Sequence, residues 1–184
     1  MTVPRSPNIV GKTYSLMVWT PIAPGREDDL RAHLEGLDKD DSPLARVPRT
    51  HMARWIVVPD MPVAPGTDLV DPLGTQFLLF TSNFDGDADS YLRELVKLIP
   101  QEAAQIWGHC IGCPQPAEGA ALKAYLHRNQ VDSGVAFAAY PNASVAQIKR
   151  ALDKRARLID FAVRAQEMKP SQRRKAFLKE FGSA

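Results

Sequence analysis

Thr50-His51-Met52-Ala53-Arg54-Trp55-Ile56-Val57-Val58 is followed, across a Pro/Gly/Asp-rich stretch, by Gln76-Phe77-Leu78-Leu79-Phe80-Thr81-Ser82-Asn83. Both runs have strand length and are rich in β-branched and aromatic residues, which suit a pleated, half-buried surface. Helical patterning flanks the pair on each side. The order helix, strand, strand, helix points to a small split βαβ sheet.

Working outward, residues 14–22 read as a first strand, broken by Pro24-Gly25. Residues 26–37 read as a helix, with Leu30, Leu34 and Leu37 at helical spacing and Glu27, Asp28 and Asp29 at the positive end of its dipole. Alternation along 50–58 puts His51, Ala53, Trp55 and Val57 on one face and Met52, Arg54, Ile56 and Val58 on the other. The loop 59–74 holds prolines at 59, 62, 65 and 72, which predicts irregular but restrained chain. The run 76–83 is nearly apolar throughout, as expected of a strand covered on both faces.

A helix is expected over 87–99, interrupted at Pro100 and resumed for a turn or two to Trp107. After a loop at 108–119, residues 122–127 read as a short strand and 134–140 as the fourth core strand. Ser144 is a suitable N-cap for a long helix carrying Val145, Ile148, Leu152, Ile159 and Val163 on one stripe. Met168-Lys169-Pro170-Ser171 breaks that helix before a basic amphipathic segment at 172–181. The organisation expected is an extension over 1–13, a single α+β domain over 14–168 and a basic tail over 169–184.

With 184 residues, 45% of them apolar and 24% charged, the composition is that of a globular protein with a real core. No apolar run approaches the ~20 residues that cross a bilayer. The N-terminus, with prolines at 4 and 7, has no apolar signal core, so a cytoplasmic location is expected. Net charge is +2, unevenly placed: 149–184 holds 11 Lys/Arg against 4 Asp/Glu, leaving 12 against 17 in 1–148. The basic character is confined to one end, whereas a dedicated nucleic-acid binder is basic as a whole domain.

Four constellations carry chemistry. Cys110 and Cys113 form a CxxC beside His109, a pattern open to redox or metal chemistry. Zinc would need a fourth ligand, for which only His33, His51 or His127 exists, and thioredoxin-like chemistry would need the pair at a helix N-terminus just after a strand, whereas it follows a helical segment; ordinary reduced thiols are the expectation and a metal site is not. Asp85-x-Asp87-x-Asp89 opens like a calcium loop. It then has Ser90 where the EF-hand needs Gly and Val96 where it needs Glu, so calcium is rejected. His51 and Arg54 are costly polar residues on an apolar strand and, an odd number of residues apart, point to opposite faces. The fourth is the segment with Arg173, Arg174, Lys175 and Phe177, which could touch anionic lipid or a partner groove but reads more simply as a solvated tail. The Gly-rich phosphate loop, GxSxG elbow, HExxH and dinucleotide fingerprint are absent, which removes kinase, NTPase, α/β-hydrolase and Rossmann dehydrogenase readings.

Strand 14–22, helix 26–37, strands 50–58 and 76–83, helix 87–99 and strand 134–140 together resemble the ferredoxin-like βαββαβ arrangement. With aromatic strands and an added C-terminal helix, the chain is similar to the dimeric α+β barrel superfamily, which includes monooxygenases, isomerases and haem-binding families. The peroxidase GxxDG signature is missing; Asn83-Phe84-Asp85-Gly86-Asp87 offers only Asp-Gly. The resemblance implies an antiparallel sheet with helices on one face, and a homodimer whose two sheets enclose a mostly apolar cavity for a hydrophobic small molecule, for oxidation or isomerisation. Trp19, Arg54, Trp55 and Phe80 are the candidate lining, and His51 or His109 the candidate base, because imidazole titrates near neutrality. Haem is the cofactor that the resemblance brings into consideration, though no residue here assigns one. The alternative is a non-catalytic module that contacts a partner through the C-terminal helix and basic tail.

Overall fold

The computed structural model describes residues 7–38, 40–59 and 75–182. The chain divides into two compact units, 1–145 and 146–184. The expectation for the proline-rich loop falls on 60–74, outside the described residues.

The first unit has an α+β fold. Its sheet contains β1 (Ile9–Val10), β2 (Thr13–Pro21), β3 (Thr50–Val58) and β4 (Phe77–Asp85) in the order β1-β2-β4-β3, every neighbouring pair antiparallel. Strands β2 and β3 therefore run the same way with β4 inserted between them, and α1 (Glu27–Glu35) lies on their connection. Helices α2 (Ala88–Leu98), α3 (Pro100–Trp107) and α4 (Gly119–Arg128) follow. Asp87 caps α2 by accepting the Ser90 N–H at 2.8 Å. Pro100 occupies the first position of α3, where its missing N–H has no partner to lose.

Burial alternates along β2 from Tyr14 onward and along the whole of β4. Tyr14, Leu16, Val18 and Thr20, with Leu78, Phe80, Ser82 and Phe84, face the core, and the residues between them are half-buried. The apolar run of β4 thus covers one face rather than two. The core side packs with Leu30, Leu92, Leu95, Ile99, Ile106 and Trp107 in a single cluster, each fully buried large side chain contributing about 1.5–3 kcal/mol of transfer free energy.

Two expected strands are absent. Residues 122–127 belong to α4, whose Leu122, Tyr125 and Leu126 are buried at i, i+3 and i+4. Residues 134–140 contain no strand, and Val135 and Phe137 are 92% and 88% exposed. The edge of β2 is closed instead by three short pieces of chain. They are β1; residues 129–131, through Trp19 N–H to Asn129 O and Val131 N–H to Met17 O, both 2.9 Å; and residues 109–111, through Ala23 N–H to His109 O and Ile111 N–H to Pro21 O, both 2.8 Å. The described chain departs from the expected βαββαβ order at its last strand.

In the second unit α5 (Val145–Ala165), whose first residue closes the first unit, leads to α6 (Pro170–Phe181), so the basic segment is a regular helix. Phe161 meets Phe177 and Phe181 edge-on with ring centroids 5.6 and 5.7 Å apart, and Arg164 pairs with Glu180 at 3.0 Å. Among the described residues no helix is long and apolar enough to cross a membrane.

Candidate functional site

The ladder between β3 and β4 slips by one residue at its start. Thr50 lies opposite Phe84 and Met52 opposite Asn83, so His51 is the extra residue of a β-bulge. Alternation alone set His51 beside Trp55 and opposite Arg54; the bulge undoes that assignment. His51 Nε2 lies 2.9 Å from Asp85 Oδ1 at the end of β4. Asp85 Oδ2 accepts the Val145 N–H at 2.8 Å. The backbone of Asp85 is fixed by Arg49, whose carbonyl accepts the Asp85 N–H at 3.0 Å and whose Nη1 donates to the Asp85 carbonyl at 3.3 Å. A carboxylate that accepts Nε2–H holds the imidazole in one orientation and leaves Nδ1 as the basic nitrogen.

By the alternation of β4, Asp85 shares a face with Phe77, Leu79, Thr81 and Asn83, the face turned away from the core. Register defines the rows across it. Trp19, Leu79 and Ile56 form one apolar row and Pro21, Phe77 and Val58 the next, with the Trp19 and Phe77 rings 5.5 Å apart. Met17, Thr81 and Arg54 come in the middle, where Arg54 Nε donates to Thr81 Oγ1 at 3.2 Å. Beyond them Ser15 Oγ donates to Asn83 Oδ1 at 2.7 Å. The open face therefore grades from aromatic and aliphatic at one end to polar at the end where His51 meets Asp85.

The sequence candidates divide between surfaces. Trp19, Arg54 and, through the bulge, His51 lie on the open side. Trp55 and Phe80 lie on the core side with Trp107, at centroid distances of 5.6 Å for Trp55–Phe80, 6.0 Å for Trp55–Trp107 and 5.3 Å for Phe80–Trp107. Phe80 and Trp107 are fully buried. Trp55 also lines, with Val57 and with Arg31, Leu34 and Glu35 of α1, a shallow cavity of about 300 Å³. The indole nitrogens of Trp55 and Trp107 have no hydrogen-bond partner there.

His109 is half-buried in the loop after α3, where its Nδ1 lies 2.7 Å from Gln105 O. The adjacent Cys110 and Cys113 are free thiols in one turn, closed by Cys113 N–H to Cys110 O at 3.3 Å with Gly112 at φ 72°. Thr20 Oγ1 donates to Cys110 Sγ at 3.3 Å. Burial pushes both thiols up to about 11, which leaves them protonated and weakly nucleophilic at neutral pH. Among the described residues no group of three or more His, Cys, Asp and Glu side chains is arranged to hold a metal.

The three carboxylates of the DxDxD run serve separate tasks. Asp85 holds His51 and Val145, Asp87 caps α2, and Asp89 pairs with Arg93 and Lys123. Asp85 as the partner of His51 escaped the sequence, because only the bulge and the end of β4 bring residues 34 positions apart together. The buried chain Thr50–Tyr91–Ser82 escaped it too; the Tyr91 hydroxyl lies 3.0 Å from Thr50 Oγ1 and 2.7 Å from Ser82 Oγ. Compared with known protein families, curated proteins and solved structures, the chain matches none.

Proposed function

We propose that the first unit binds a hydrophobic small molecule on the open face of its sheet and moves a proton on it, an isomerase-type reaction, with His51 as the base. The observation that supports this reading is the bulge that turns His51 to Asp85 beside a graded apolar face. Leu79, opposite Trp19, lies about 20 Å along β4 from Asp85 at ~3.3 Å per residue, so the ligand would be an extended one, with Trp19 and Phe77 holding its apolar end and Arg54 an oxyanion or carboxylate along it. Nδ1 of His51 would take the proton while Asp85 stabilises the imidazolium that forms. The antiparallel sheet with one face turned away from the core supports this use of the face, and an oxidation of the same ligand is the other reaction that the α+β barrel resemblance implies.

The test is a fluorescence titration with 8-anilinonaphthalene-1-sulfonate, an apolar anion. Trp19→Ala and Arg54→Ala each weaken binding at least about tenfold, equivalent to ~1.4 kcal/mol, with the urea midpoint of the fold nearly unchanged. Binding unaltered in both variants overturns the reading. Trp55→Ala reports on the separate cavity beside α1.

A second reading, an interaction module working through α5 and the basic tail, is favoured by the large aliphatic side chains that α5 leaves in water.

A further inference from the structure

Helix α5 carries two apolar faces. Phe161 and Ala165 are buried on the side whose ring contacts reach α6. At ~100° per residue, Ile148, Leu152, Ile159 and Val163 form a stripe opposite Phe161. Leu152, Ile159 and Val163 are 56%, 51% and 62% exposed. Ile148, at the start of the stripe, is half-buried; the large aliphatic side chains left in water along the rest of it mark an interaction surface.

The stripe is a palindrome, with spacings of four, seven and four residues centred between 155 and 156. A two-fold axis at that centre lays Leu152 against Ile159 of a second copy, and Ile148 against its Val163, in antiparallel order. Ala156 and Arg155 sit at the axis on either side of the stripe, each about 50° from its centre; the small Ala156 lets the two helices approach on one side, and on the other the two copies' Arg155 side chains meet and oppose the pairing. Charge selects the same register. Lys149 and Asp160 lie on one flank of the stripe, with their midpoint between 154 and 155. That is one residue, about 1.5 Å of rise, from the centre of the stripe. In an antiparallel pair each Lys149 therefore meets Asp160 of the other copy, and both ion pairs border the apolar seam.

We propose that α5 pairs antiparallel with α5 of a second copy of this chain, making a homodimer. The proposal gives the second reading above a specific partner, and the ligand reading stands or falls without it. The seam from Ile148 to Val163 is about 24 Å long, at the small end of specific interfaces, so association at micromolar concentration is expected. The net charge of +7 on 146–184 opposes the pairing and is screened at about 0.15 M salt.

Sedimentation equilibrium of the full chain at about 0.15 M salt tests it. The wild type shows a concentration-dependent monomer–dimer equilibrium. Leu152→Glu or Ile159→Glu raises Kd at least about tenfold, with unchanged helical circular dichroism because both positions are exposed. Lys149→Glu weakens the dimer several-fold, and adding Asp160→Lys to it restores affinity. Net-charge repulsion alone predicts the reverse for Lys149→Glu, which lowers the positive charge. A monomer at all concentrations, a dimer indifferent to Leu152→Glu, or a dimer tightened by Lys149→Glu overturns the proposal. A monomer that sediments with phosphatidylserine vesicles, and stops doing so in Leu152→Glu, also overturns the pairing; the interaction-module reading then survives with a membrane as its partner.

Discussion

His51 and Asp85, 34 residues apart in sequence, meet at 2.9 Å because one residue bulges from the start of β3. The same carboxylate accepts the first backbone N–H of α5. One side chain thus orients the candidate base and holds the backbone of Val145, the last residue of the first unit. Replacing it by Ala removes both bonds and leaves the Val145 N–H without its acceptor. Asp85→Ala is expected to destabilise the first unit by about 1–3 kcal/mol, read as a lower urea midpoint at unchanged slope. Asp85→Asn keeps a carbonyl oxygen for one of the two donors and loses less.

Tyr91 stacks flat on Phe84 with centroids 3.6 Å apart while its hydroxyl bridges Ser82 and Thr50. Tyr91→Phe keeps the ring and removes the bridge, stranding the buried Ser82 hydroxyl, at an expected cost of about 1–2 kcal/mol. Ser82→Ala in the Tyr91→Phe background then costs less than in the wild type, because the shared hydrogen bond is already gone. A double-mutant cycle in urea measures the coupling.

Alkali should weaken the fold through the CxxC. Burial raises Cys110 and Cys113 from 9.0 to about 11 in the folded chain, so on raising the pH the unfolded chain loses these protons first. The stabilising contribution is whole below about pH 9, falls as pH rises and is gone above about 11. For the well-buried Cys110 it amounts to roughly 1–3 kcal/mol; Cys113, partly open to water, contributes less. Urea midpoints measured from pH 8 to 11 should fall more steeply in the wild type than in Cys110→Ala/Cys113→Ala. Parallel curves would refute the assignment. Tyr91, raised by burial, adds its own loss above pH 10 in both proteins.

Periodicity sufficed wherever it ran long. Residues 50–58 and 76–83, and the helices with Leu30 or with Tyr91, Leu92 and Leu95, lie close to where the spacing of apolar side chains places them. Leu122, Tyr125 and Leu126 already stood at i, i+3 and i+4, but reading started at Leu122 made six residues look like a strand. Ala120 and Ala121 extend them to a helix. At 134–140 the composition favours β structure, yet pairing depends on a free partner edge, and 129–131 already occupies that edge at Met17 and Trp19. Of the candidate site, the separate residues were visible and their arrangement was not. A single bulge changes which face His51 serves, and nothing in the local run Thr50-His51-Met52 announces it.

The outer edge of β2 is sealed by three fragments that arrive from residues 8–10, 109–111 and 129–131. No one of them is long enough to act as a template, so a fourth strand cannot be peeled away as a unit and replaced by a foreign one. Each fragment protects its own few amides, and hydrogen exchange along Thr13–Pro21 should break into separate stretches with different opening energies.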